Sequence, residues 1–265
     1  MSIYMWREHI PQELCFTANT ANSTVRLAKA WSPTDVTLET STDGSTRITY
    51  TIWDTITLAN IWDKVYWRNT SETTTSFSTA STKYYQFMLS WSINASWDIT
   101  SLINKNCTDT LVWDYCFTRL FYNQSQVTPL KTAPQLPATT LTSYCYNEMF
   151  KNEVWLTTAP QLPATTLASY CYYSMFFNCT SLETLPQLPA TTLKSYCYNQ
   201  MFRQCSKIKL SATQTWEYQT PYRIPTTWTW TTATSSLTST FVNTWWTFTG
   251  NPTINTTYYT SNTLV

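Results

Sequence analysis

A chain of 265 residues is long enough for two domains. With 12% charged residues and a net charge of +1, it carries no electrostatic footprint for nucleic acid or an anionic membrane surface. No apolar run approaches the roughly 18 residues of a membrane span, and 14 tryptophans stand against 2 glycines, where average usage would place about 19 glycines.

The first residues, MSIYMWREHIPQELC, are polar, are broken by Pro11 and lack the apolar core of a secretory signal. The expectations are export by another route, release by lysis as for phage particles, or a start further upstream. From Cys15 to Ile99 the pattern alternates with period two and is rich in β-branched residues. It predicts strands over Val25–Ala28, Val36–Thr40, Arg47–Ile52, Thr55–Leu58, Lys64–Arg68 and Tyr84–Ser90. Asp43-Gly44 is a hairpin signal between two of them. Several short strands without helices read as a β-sandwich, immunoglobulin-like in architecture.

The tryptophans fall where backbone chemistry asks for glycine. Trp53, Trp62, Trp97 and Trp113 each precede Asp in a turn setting, Trp228, Trp230, Trp245 and Trp246 lie among threonines and asparagine, and Trp155 takes the place of Ser181 in the next repeat. An indole does not relieve a positive φ, whereas glycine does. The expectation is that many of them are UGA codons read as glycine where the gene is translated; the alternative is a tryptophan-rich ligand surface.

Residues 91–110 join this module to a threefold repeat. PQLPATTL opens at Pro134, Pro160 and Pro186, SYCY at Ser143, Ser169 and Ser195, and MF at Met149, Met175 and Met201, a period of 26 residues. Such a period marks stacked units, each too small to bury its own apolar face. Tyr144, Cys145, Tyr146, Met149 and Phe150 are constant between copies, with i,i+4 spacing. That spacing predicts a short helix near 140–151 with Thr139 or Thr140 as N-cap. Pro134 and Pro137 keep the preceding stretch extended, and Leu182, Leu185 and Leu188 suit a short strand repeated along the stack. A weaker copy begins at Asp114-Tyr115-Cys116-Phe117 and continues through Leu120-Phe121.

The order Phe176, Cys179, Leu182, then Leu-Pro, then Thr-Leu and an aromatic-rich turn resembles the BspA-like leucine-rich repeats of bacterial surface proteins. The likeness spans roughly residues 102–208. This chain has a longer period, and Tyr-Cys-Tyr replaces the family's usual Ile-Gly-x-x-Ala. The resemblance implies a leucine-rich-repeat solenoid and attachment to host or bacterial surfaces by protein–protein contact. Beyond Ile208, Leu237, Phe241 and Asn243 echo a degraded unit, so Ser211–Phe248 reads as a cap, and the stretch after Pro252 as a last strand or a disordered end.

The expected organisation is therefore a mixed β and α+β chain: an N-terminal segment over 1–14, a β-sandwich over 15–100, about four solenoid units over 101–210, and a C-terminal cap and tail over 211–265.

Cys145, Cys171 and Cys197 recur at the repeat period and read as a ladder of buried thiols, with Cys179 and Cys205 in a second row interrupted by Glu153. A disulfide in the second row or a metal are the alternatives; no CxxC occurs and His9 is the one imidazole. His9 lies among charged neighbours, the carboxylates Glu148, Glu153, Glu183, Asp54 and Asp63 are scattered, and no glycine-rich phosphate loop exists. Gln135, Gln161 and Gln187 read as an amide ladder that satisfies backbone groups, with ligand reading as the alternative. Recognition is expected at the positions that drift between copies, Lys151/Phe177/Arg203 and Asn147/Tyr173/Asn199, which mix cationic, aromatic and amide groups.

The reading is a non-catalytic binding or adhesion protein at a cell surface or outside the cell. It takes a protein or surface-glycan partner and no cofactor, metal, nucleic acid or membrane insertion. A tail-associated, receptor-binding phage virion protein is the alternative, and an enzyme of unknown class the third.

Overall fold

The computed structural model describes residues 12–31, 33, 35–108, 110–123, 130–224, 233–244, 248–254 and 256–265. His9, Trp228, Trp230, Trp245 and Trp246 lie outside them.

Nine strands come first: β1 (Leu14–Ala18), β2 (Ser23–Ala30), β3 (Leu38–Ser41), β4 (Ile48–Tyr50), β5 (Ile56–Leu58), β6 (Lys64–Asn69), β7 (Tyr84–Ser90), β8 (Ile93–Ser96) and β9 (Leu130–Thr132). Alternation sets their faces: Val65, Trp67 and Asn69 of β6 and Tyr85, Phe87 and Leu89 of β7 point inward. They form one sheet in the order β4-β3-β6-β1-β8-β9 and a second in the order β5-β2-β7. The two meet through aromatics, with Phe87 lying 4.7 Å from Phe16 and 5.1 Å from Trp67 between ring centroids. At the β3–β4 hairpin Gly44 takes φ +80°, and the Asp43 carboxylate accepts from the Ser45 and Thr46 amides at 2.8 and 2.7 Å. The Thr46 hydroxyl, then the Ser45 amide, the Ser41 hydroxyl and the Thr46 amide hold the Asp43 pKa below the usual carboxylate range.

The immunoglobulin-like sandwich expected over 15–100 does not form. The larger sheet takes β9, from well beyond residue 100, as an edge strand parallel to β8. Phe121 also enters the core between the two sheets, 5.6 Å from Phe87 of β7 and 6.2 Å from Phe16 of β1. The larger sheet's open edge is covered from outside that segment rather than closed by its own antiparallel strands.

The helix expected over 140–151 is also corrected: no α-helix occurs among the described residues. Each copy is instead a ribbon of consecutive turns, over 114–121, 143–152, 169–178, 195–204 and 234–243. Cys145, Asn147, Met149 and Lys151 donate to carbonyls three residues back at 3.2–3.4 Å, while Tyr144, Tyr146, Glu148, Phe150 and Asn152 donate to the next copy at 2.8–3.1 Å. Every fourth residue is left-handed, with φ of 59° at Tyr144, 53° at Glu148 and 67° at Asn152. An α-helix keeps φ near −63° and donates four residues back. A ribbon of period four and a helix of 3.6 residues per turn both stack i over i+4, so constancy at that spacing does not separate them.

β10 (Thr184–Leu185), β11 (Thr220–Arg223), β12 (Thr257–Thr260) and β13 (Thr263–Leu264) complete the strands. The leucine-rich-repeat solenoid with a C-terminal cap is corrected by how they pair. Its coils would close strand to strand between copies. Here the connecting segments touch at single bridges, Thr110–Thr140, Thr140–Thr166 and Thr132–Thr158. β10 pairs in parallel with β13, and β11 pairs with β12. Two prolines per connecting segment remove ladder donors, which keeps these contacts short.

The copies nevertheless stack ribbon on ribbon. Phe121, Phe150, Phe176, Phe202 and Phe241 form a column of parallel rings with centroids 5.4–5.6 Å apart. Phe121 joins it to the first sheets and Phe241 ends it against Phe248 and Tyr222. The buried apolar residues make one continuous core.

Candidate functional site

The period-four ribbon gives four columns of side chains. Cys145/Met149 and Tyr146/Phe150 with their counterparts are buried. Cys145, Cys171 and Cys197 are fully buried, and burial pushes their thiols up, Cys197 to about 12. In the second row the Cys179 and Cys205 thiols donate to the carbonyls of Phe150 and Phe176 at 3.1 and 2.9 Å. All eight cysteines are free, and the described residues hold no group of three metal-ligating side chains. Gln135, Gln161 and Gln187 lie exposed.

Lys151, Phe177 and Arg203 come together as one half-exposed row on the remaining side. Lys151 Nζ stands 5.2 Å from the Phe177 ring centroid and 5.8 Å from that of Tyr122, and Arg203 Cζ stands 5.7 Å from Phe177. The row thus runs aromatic, cation, aromatic, cation, with Tyr122 in the position that Lys151 holds one copy later. Arg119 flanks it, 5.4 Å from the Tyr84 ring and 5.7 Å from Tyr122. Arg119 Nε donates to Glu148 Oε2 at 2.6 Å, and Lys151 bonds the other Glu148 oxygen. Burial opposes the Glu148 charge, but Lys151 and Arg119 outweigh it and hold the carboxyl below its ordinary pKa.

Arg203 differs from the other two cations. Its Nη1 reaches only the Gln200 amide oxygen, at 3.5 Å, and its buried Nε has no hydrogen-bond partner. Among the described residues no carboxylate stands within ion-pair distance of it.

The second predicted row divides. Asn147 and Asn199 are buried, donating to Thr118 Oγ1 at 2.9 Å and to the Ser235 carbonyl at 3.0 Å. Tyr173 stays half-exposed, its hydroxyl accepting from Gln200 at 3.4 Å. Sequence reasoning missed Arg119, Tyr122 and Tyr84, and read Glu148 only as one of several scattered carboxylates. Carrying the Asp114 copy two residues past Phe117 would have found Arg119 opposite Glu148, and five past it Tyr122 opposite Lys151. Tyr84 arrives from β7 and has no signal in the repeat.

An open cleft of about 510 Å3 lies elsewhere, lined by Gln187, Leu188, Pro189, Tyr222 and Arg223 among others. Its lining mixes apolar residues with one amide, one hydroxyl, one phenol and one guanidinium.

Comparison of the chain with protein families, with characterised proteins and with solved structures returns no match. Among the described residues, no helix is long and apolar enough to cross a membrane.

Proposed function

We propose that this chain is a non-catalytic recognition protein, displayed at a cell surface, that binds a protein segment rich in carboxylates along the Tyr122–Lys151–Phe177–Arg203 row. The observation that carries the reading is Arg203. It is a half-exposed cation held between an aromatic ring and an amide, with no carboxylate partner among the described residues. A planar guanidinium in such a place is suited to a bidentate carboxylate. Three cations against one carboxylate give the strip a positive face on a nearly neutral chain, which favours an acidic partner by complementarity. Burial raises the Cys145, Cys171 and Cys179 thiols and so disfavours the thiolate that nucleophilic chemistry needs, which supports a binding role.

The test is titration of a fluorescent Glu/Asp-rich peptide with the protein and with the Lys151→Ala/Arg203→Ala variant. The expected result is a roughly 10- to 100-fold weaker affinity in the variant, a steep salt dependence in the parent and little change in stability. Equal affinity overturns the reading. So does a stability loss on the scale of core truncations, several kcal/mol or more, which would mean that the faces are assigned backwards. Binding of an acidic polysaccharide in place of the peptide would move the partner to a surface glycan.

A further inference from the structure

Nine tryptophans lie among the described residues: one is buried, five are exposed at positive φ, and Trp113, Trp155 and Trp216 are exposed without positive φ and give no backbone sign of glycine. Trp67 sits in β6, fully buried, packed edge-on against Phe16, Tyr50 and Phe87. Trp31, Trp53, Trp62, Trp91 and Trp97 instead have φ of 48°, 81°, 75°, 61° and 66°, and all are between 37% and 81% exposed.

Each of the five lies at a strand end or in a turn. Trp31, Trp91 and Trp97 are the residues directly after β2, β7 and β8. Trp53 and Trp62 are the third residues of turns closed by Asp54 N–H to Thr51 O at 3.0 Å and by Asp63 N–H to Asn60 O at 3.3 Å. A φ near +80° at the third position is the type II turn, which calls for glycine. Gly44, at the β3–β4 hairpin, has φ +80°.

Left-handed backbone does not by itself single out tryptophan, because the ribbons place Tyr, Glu, Ser, Asn and Gln there as well. Outside the ribbons, however, seven non-glycine residues among those described have positive φ. Five are these tryptophans and the others are Asn22 and Cys107. The side chains give no compensating reason. Arg26 stands 5.7 Å from the Trp53 ring, and the other four indoles make no ring contact among the described residues. A bulky residue held at positive φ with its side chain in solvent has nothing to offset the steric conflict of its Cβ.

We infer that the protein carries glycine at positions 31, 53, 62, 91 and 97 where it is naturally made, and a true tryptophan at 67, because UGA is read there by a glycine-charged tRNA. Tryptophan then reports the standard reading of those codons rather than the side chain present. The five indoles drop out as a ligand surface, and the turns become small and polar.

Two measurements test this. The gene is sequenced, and peptides of the protein purified from its source cells are weighed. UGA codons with glycine masses at 31, 53, 62, 91 and 97, beside UGG with a tryptophan mass at 67, are expected. In parallel, the chain as written is compared with a variant carrying Trp31→Gly, Trp53→Gly, Trp62→Gly, Trp91→Gly and Trp97→Gly, and with Trp67→Gly alone. Relief of five left-handed side chains should raise the melting temperature by roughly 5–20 °C, whereas Trp67→Gly should abolish cooperative unfolding. UGG codons or tryptophan masses at the five positions overturn the inference, as does a five-glycine protein that melts no higher than the chain as written.

Discussion

Glu153 occupies the position that Cys179 and Cys205 hold in the next two copies, and it is 3% exposed. Its carboxyl accepts from the Leu130 amide at 3.4 Å and from the Asn123 side chain. Burial outweighs these bonds and raises its pKa well above the ordinary value. In the unfolded chain a glutamate loses its proton near pH 4.3, so above that pH the folded protein holds one proton more than the unfolded one. Stability must then fall as pH rises, by up to about 1.4 kcal/mol per pH unit, until the folded-state pKa is reached; below about pH 4 the contribution is flat. Glu153→Gln removes the titrating group, and Glu153→Cys restores the thiol of the column, placed to donate to the Phe121 carbonyl as Cys179 does to Phe150. Urea unfolding at half-unit steps from pH 4 to pH 8 reads the difference. Both variants should gain on the parent as pH rises, by up to about 2.7 kcal/mol over two units if the proton is retained throughout. Parallel stability profiles for parent and variants would refute the buried, protonated acid. Glu13, also buried with its pKa raised by burial against Arg47 and Arg68, slopes the same way in all three proteins and cancels from the comparison.

Adjacent phenylalanines should behave oppositely: Phe176→Ala opens the stacked column and costs about 3–5 kcal/mol in denaturant unfolding, whereas half-exposed Phe177→Ala costs under about 1 kcal/mol yet weakens acidic-peptide binding by freeing Lys151 and Arg203. Glu148→Gln removes the carboxylate shared by Arg119 and Lys151, so peptide affinity should rise while stability drops by about 1–3 kcal/mol; unchanged affinity would mean that those cations do not face the partner. Alkylation of the native protein at pH 8 should spare the seven buried thiols. It should modify Cys107 slowly, since burial, with Asp98 and Glu13 nearby, pushes that thiol to about 12; rapid modification of Cys145, Cys171 or Cys197 without denaturant would contradict the stack.

Much of the local structure is legible because its signals are short-range. The six stretches with period-two alternation overlap β2–β7, and Asp43-Gly44 turns β3 into β4. The repeat shows which positions are constant, and the constant ones are buried columns. What the copies become is not legible, since i,i+4 constancy fits a helix and a four-residue ribbon alike, and the choice lies in where the amides go. Those of Tyr144, Glu148 and Asn152 cross to the next copy, a pairing that no single copy encodes. The closure of the sheets is not legible for a related reason: β9 and Phe121 reach the larger sheet from after residue 100. Within the strip, Lys151, Phe177 and Arg203 could be read because they drift between copies. The Asn147/Tyr173/Asn199 position drifts too, yet Asn147 and Asn199 are buried and hydrogen-bonded inside the stack, so variation there does not by itself report exposure.

The ribbons and the tryptophan turns share one backbone conformation and differ in what repays it. In the ribbons many left-handed side chains have a neighbour one copy away: Tyr115, Tyr144, Tyr170 and Tyr196 stack at 4.5 Å, and Asn178 donates to Asn152 at 3.1 Å. A steric penalty of about 1–2 kcal/mol at such a residue is offset by ring stacking of about 0.5–1.5 kcal/mol together with the amide bonded across copies. A lone turn between strands has no second copy to lean on. Repetition therefore makes side chains affordable at positive φ within the stack, and the same reasoning leaves Trp31, Trp53, Trp62, Trp91 and Trp97 without support. The aromatic groups left to meet a partner are those of the cationic strip, where Tyr122 and Phe177 already hold charge against their faces.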